Sequence, residues 1–137
     1  MEIQSILLCD FAQVREGLLF VLSAGITRLA VPEVPAPFAL SIAVQIELEQ
    51  TELSRPHQLV ISVRHNESAS VAYRSTTAFQ LQGPTSLEPG ESMMLPVVAD
   101  LRAFGATHYG AHDVKVEVDD HHQRRATFYL VRTPTST

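Results

Sequence analysis

The chain has 137 residues, enough for one domain with a real core, and 45% hydrophobic against 18% charged residues excludes a disordered polymer. A net charge of -5 with no block of Lys or Arg excludes the concentrated basic surface that generic nucleic-acid binding requires. One cysteine, Cys9, excludes an internal disulfide framework, and no apolar run approaches the roughly 20 residues that span a bilayer.

The opening MEIQSILLCDF lacks the basic start and long apolar run of a signal peptide. This predicts a cytoplasmic protein in which Cys9 is a reduced, buried small hydrophobe. SILLC and GLLFVLSAG are continuously apolar: Leu18, Phe20 and Leu22 share one face, and Leu19 and Val21 the other. Continuous apolar strands are covered on both faces, so the second cover is a loop, a short helix or another subunit. Asp10 is expected to end the first strand, with Arg15 and Arg28 nearby in sequence. These three are candidate ligand-binding residues, although a carboxylate that caps the loop's backbone amides or pairs with one of the arginines is the preferred reading of Asp10.

VPEVPAPF is a Pro-rich connection that carries the chain between sheets. FALSIAVQIELE then alternates with period two. Phe38, Leu40, Ile42, Val44, Ile46 and Leu48 point into a core, and the face carrying Ser41, Ala43, Gln45, Glu47 and Glu49 is mostly wet. HQLVISVRH places Leu59, Ile61 and Val63 on one face, HNESAS turns the chain, and VAYRSTTAFQLQ continues as a less regular strand. EPGE is a Pro-Gly turn before SMMLPVVADL, where Pro96 marks an edge strand or bulge. HDVKVEVDD points Val114, Val116 and Val118 inward, and RATFYLVR points Phe128 and Leu130 inward with Tyr129 and Val131 opposite.

About eight short strands at regular spacing predict an all-β antiparallel sandwich with Ig-like, Greek-key connections; a closed barrel is the alternative. Residues 1–132 form the domain and 133–137 a short tail.

The histidines invite a metal reading. His108 and His112 have the spacing of a zinc-binding helix, but Gly110 lies between them and a strand follows directly. On a continuous strand they stand about 13 Å apart, too far for one ion. The hairpin EVDDHHQRR concentrates Asp119, Asp120, His121 and His122, where His121 and His122 are the candidate metal ligands against a solvated turn bending from Asp119 to Arg125. There is no G-x-S-x-G elbow and no Gly-rich phosphate loop. No catalytic residue and no cofactor is assigned.

ILLCDFAQVREGLLFVLSAGITRL resembles the opening of a bacterial family of small β-sandwich domains of unknown function, through Cys9, Asp10, Ala12, Gln13, Gly17, Gly25 and Arg28. LEPGESMMLPVVADL and the Gly-led YGAHDVKVEVDD continue the likeness over nearly the whole chain. Ile26 stands where relatives commonly carry an aromatic, and His112 where a tyrosine often follows the glycine. The resemblance implies the fold and no mechanism.

The functional reading is a non-enzymatic structural or protein-interaction domain that forms a homo-oligomer or meets a protein partner, without nucleic acid or membrane. The alternatives are a small-ligand or carbohydrate-binding module, with Tyr73, Phe79, Phe104 and Tyr109 as its aromatics, and a metal-dependent enzyme.

Overall fold

A computed structural model describes residues 1–81 and 86–134. The end of the expected VAYRSTTAFQLQ strand, and residues 135–137 of the expected tail, lie outside these. Among the described residues the chain is all β, apart from a single turn of 3-10 helix at Gln50–Glu52.

The strands are β1 (Glu2–Arg15), β2 (Leu18–Ala24), β3 (Arg28–Val31), β4 (Ala36–Pro37), β5 (Ser41–Leu48), β6 (His57–His65), β7 (Val71–Phe79), β8 (Met93–Asp100), β9 (Gly105–Ala106), β10 (Gly110–Val118) and β11 (His122–Arg132). Sheet A has the order β2-β1-β5-β8, and sheet B the order β3-β11-β10-β6-β7; β4 and β9 pair separately. Among the described residues no ladder joins sheet A to sheet B, so the architecture is the sandwich and not the closed barrel. All neighbours are antiparallel except β3 and β11, where Arg28 to Val31 runs parallel to Tyr129 to Arg132.

Period two builds the core. Ile42, Val44, Ile46 and Leu48 of β5 face Leu59, Ile61 and Val63 of β6, Val114, Val116 and Val118 of β10, and Phe128 and Leu130 of β11, all buried. Each such side chain contributes roughly 1.5–3 kcal/mol when fully removed from water. Phe38 and Leu40, just ahead of β5, close one end, where the Phe38 N–H donates to the Phe104 carbonyl at 3.1 Å.

The other face of β5 departs from the expectation of a wet surface. Ser41 and Ala43 are buried there, and Cys9 beside them. Two covers account for this: Leu7, Leu19, Val21 and Val98 pack over Cys9 and Ala43, and the Arg102 guanidinium covers Ser41, where Nη1 donates to Ser41 Oγ at 3.1 Å and meets Asp100 Oδ1 at 3.3 Å, while Nη2 reaches the Asp10 carbonyl and Oδ1. The Cys9 thiol donates to the Ser41 carbonyl at 3.4 Å, and burial pushes its pKa up. It is a thiol at neutral pH, held from reaction by its surroundings.

β1 is longer than the sheet beneath it. Its first part, Glu2 to Cys9, pairs with β5; its second part, Cys9 to Arg15, pairs with β2 alone. The β1–β2 hairpin, turning at Glu16 and Gly17 with positive φ, therefore extends beyond the β5 ladder and leaves β2 as an open edge of sheet A.

Candidate functional site

Three places gather chemistry. The first lies at one end of sheet B, where registry sets His65 of β6 directly opposite His112 of β10. Their rings are 5.1 Å apart, and His108, in the loop before β10, stacks on His65 at 4.7 Å. β10 begins at Gly110, with φ +112°, so the chain kinks and both His108 and His112 reach His65. The continuous strand expected across this point, with its 13 Å separation, is not formed. His112 also stacks on Phe128 at 5.2 Å and meets Phe38 edge-on at 5.7 Å.

The hydrogen bonds of this cluster assign its tautomers. The His65 Nε2 faces the Tyr109 carbonyl at 2.8 Å, so Nε2–H donates. Its Nδ1 accepts from the Ser68 backbone N–H at 3.2 Å and lies 2.7 Å from the Ser68 hydroxyl. The His112 Nδ1–H donates to the Gly110 carbonyl at 3.0 Å. Beside the cluster, an open cleft of about 600 Å³ is lined by Val34, His65, Glu67, Ser68, Thr107, His108 and Tyr109.

Burial, reinforced by the neighbouring His65 and His108 and opposed by the Gly110 carbonyl, holds the His112 pKa below its ordinary value of 6.5. A histidine with a lowered native pKa binds its proton more readily when unfolded. Stability therefore falls as pH drops through 6.5 and continues falling until the native pKa is passed. Urea unfolding at pH 7.5, 6.5 and 5.5 is expected to show this loss, and His112→Phe, which keeps the ring stack, is expected to flatten it.

The second place is the opposite end of β6. His57 Nδ1 lies 2.6 Å from Asp119 Oδ2, and its Nε2 donates to the Glu52 carbonyl at 2.7 Å. Asp119 Oδ1 accepts the Gln58 N–H at 2.8 Å. The hairpin turn is confined to Asp119–His121: Asp119 and Asp120 both take positive φ, and β11 starts at His122 opposite Val118. The longer bend to Arg125 is not present, and Arg124 is a strand residue donating to the Ile3 and Gln4 carbonyls. Burial raises the Asp119 pKa, but its bonds to His57 and Gln58 and the charges of His57 and His122 outweigh this and hold it below 3.8. Its stabilisation is thus present above the ordinary aspartate range and lost as pH falls through the native pKa. Asp119→Ala, which strands His57 and the Gln58 amide, is expected to cost about 1–3 kcal/mol in chemical denaturation at pH 7.

His121 and His122 line a cleft of about 310 Å³ there with Met1, Glu52, Arg55, Pro56, His57 and Asp119. Both His57 nitrogens are already engaged. Among the described residues no group of three or more His, Cys, Asp or Glu is arranged to hold a metal ion.

Asp10 lies inside β1 and does not end it, because that strand continues to Arg15. Its carboxylate meets Arg102, far away in sequence, at 3.3 Å. Arg15 stands five residues further along the strand, roughly 17 Å away, and Arg28 opens β3 in the other sheet. The three are not gathered at one place. Of the aromatics named for a ligand face, Tyr73 packs edge-on to the exposed Phe104 at 4.7 Å, Phe79 lies against His57 at 5.3 Å, and Arg132 lies over the Tyr109 ring at 5.1 Å.

The third place is the β1–β2 hairpin. Leu18 is 64% exposed, Phe20 48% and Leu22 62%, with Phe11 and Val14 of β1 also exposed. Registry sets Leu22 opposite Phe11, Phe20 opposite Gln13 and Leu18 opposite Arg15, so Phe11, Leu18, Phe20 and Leu22 share one face, while Val14, opposite Leu19, lies on the other.

Among the described residues no helix is long and apolar enough to cross a membrane. A family model described as a family of unknown function (DUF6941) matches residues 4–131. No curated protein and no solved structure matches the chain.

Proposed function

The chain belongs to the DUF6941 family, and on that premise we propose that it is a non-enzymatic protein-interaction domain, bacterial and cytoplasmic, which self-associates through its β1–β2 hairpin. The observation that carries this reading is the open edge of β2. Over Leu18–Ala24 that strand has no charge, no proline and three exposed large apolar side chains.

Exposed strand edges invite pairing, and stable monomers blunt them with charges, prolines or short strands. The other edges of this sandwich carry such devices. β8 has Pro96, β7 has Arg74, and β3 is four residues long. Only β2 lacks one.

A second copy is the fitting occupant because the strand is neutral and apolar along its length. Two β2 strands laid antiparallel about a two-fold axis present the same surface to each other, the isologous arrangement of most homodimers. Leu18, Phe20 and Leu22 of one copy then cover those of the other, and two four-stranded sheets become one. Size-exclusion chromatography with light scattering over a wide concentration range tests this: a dimer mass is expected, and a strict monomer at the highest concentration overturns it.

A further inference from the structure

The outer face of sheet B carries a row of cations set by registry. Arg125 of β11 stands directly opposite Lys115 of β10, Lys115 opposite Ser62 of β6, and Ser62 opposite Arg74 of β7. Arg64, one step along on the same face of β6, stands opposite Asp113. Like charges directly opposed across a ladder destabilise a sheet, and Lys115 with Arg125 is such a pair.

The acids on this face do not balance it. Glu117 holds Lys115 at 2.8 Å. Asp113 accepts the Thr127 hydroxyl at 2.7 Å and lies 4.0 Å from Arg125. Among the described residues Arg64 and Arg74 have no ion-pair partner. A depression of about 70 Å³ lies between Ser62, Arg64, Arg74, Asp113, Lys115 and Arg125. At about 30 Å³ per water it holds roughly two waters, or one tetrahedral group.

We propose that this depression binds an oxyanion of the phosphate or sulfate class. The three guanidiniums present planar donor forks that match two oxygens at a time, Lys115 adds a compact charge, and the Ser62 hydroxyl adds a donor. Bound there, the anion supplies the ion-pair partner that Arg64 and Arg74 lack and adds to what Glu117 and Asp113 do for Lys115 and Arg125. The net charge of -5 does not prevent this, since screening at physiological salt confines each charge to a range of about 8 Å. The group is either the free ion or the phosphoryl end of a larger molecule, and the chemistry recognised is the same.

The test is a heteronuclear NMR titration of the whole chain with sodium phosphate, and separately with phosphoserine, at ionic strength fixed by chloride. Saturable shifts are expected on the strand segments around Ser62, Arg74, Lys115 and Arg125, with a dissociation constant on the order of 1 mM. Tighter binding of phosphoserine identifies a phosphomonoester source, and tighter binding of phosphate the free ion; both support the site. Arg74→Ala and Arg125→Ala are each expected to weaken binding at least fivefold, while Arg55→Ala, at the far end of β6, leaves it unchanged. These are exposed positions, so the fold is retained, which circular dichroism checks. Shifts no larger than those with chloride, or equal affinity in all three variants, overturn the proposal.

Discussion

Replacing Phe20 and Leu22 together by lysine is expected to abolish the proposed self-association and give a protein that stays monomeric at every concentration. The two side chains are about half or more exposed on an open edge, so in the free protomer they contribute little to folding. In the dimer they become the buried centre of the new ladder. Loss of two such anchors, at about 1.4–2 kcal/mol each, raises the dissociation constant roughly 100- to 1000-fold. The lysines also supply the protection that other edge strands use. Sedimentation velocity reads the loss directly. Thermal unfolding gives an independent reading: the parent midpoint rises with concentration because association favours the native state, and that of the variant does not. A variant that still forms dimers would move the interface away from β2.

Phe38→Ala is expected to have the largest effect on stability. Phe38 is fully buried, meets Phe128 edge-on at 5.8 Å and His112 at 5.7 Å, and seals the end of the core where sheets A and B meet the β4–β9 pair. Phe→Ala in such a setting costs about 3–5 kcal/mol, the transfer energy plus the cavity left behind. That is a large share of a typical total of about 5–15 kcal/mol, and the unfolding midpoint falls by roughly 10–15 °C. The edge-to-face ring contacts account for about 0.5–1.5 kcal/mol of this, so Phe38→Leu recovers most but not all of the loss. Urea denaturation of the two variants separates the contributions. A loss below about 1 kcal/mol for Phe38→Ala would show that the cavity collapses freely.

The strands were legible because their chemistry is periodic. β5, β10 and β11 alternate cleanly, and their inward residues are the buried ones. The histidine cluster was equally present in that periodicity. His57 and His65 are in phase with Leu59, Ile61 and Val63, and His112 is in phase with Val114, Val116 and Val118. Following each alternation to its end places these histidines inward. Polar identity drew attention instead to the tip around His121 and His122, where hydrophilic residues are common in any turn. Other features depended on contacts that no local pattern encodes. Arg102 reaches Asp10 across 92 residues of sequence and covers Ser41, which buries one end of a nominally wet face. The kink at Gly110 brought His108 and His112 onto one ring because glycine takes the positive φ that a strand does not. For β1 and β2, the doubly apolar pattern announced a missing cover, and the strand order located it at the sheet edge.

The parallel pairing of β3 with β11 has a consequence during synthesis. Arg28 emerges from the ribosome early, but its partner Tyr129 follows only after nearly the whole chain. At about 5–20 residues per second, that interval is on the order of 5–20 s. Throughout it β3 has no ladder to join and sheet B is unclosed, whereas the β1–β2 hairpin, made of adjacent segments, forms within microseconds. The apolar edge is thus the first finished piece of the molecule. Ribosomes following one another along a message hold several such edges close together, so pairing between copies can begin before any of them is complete.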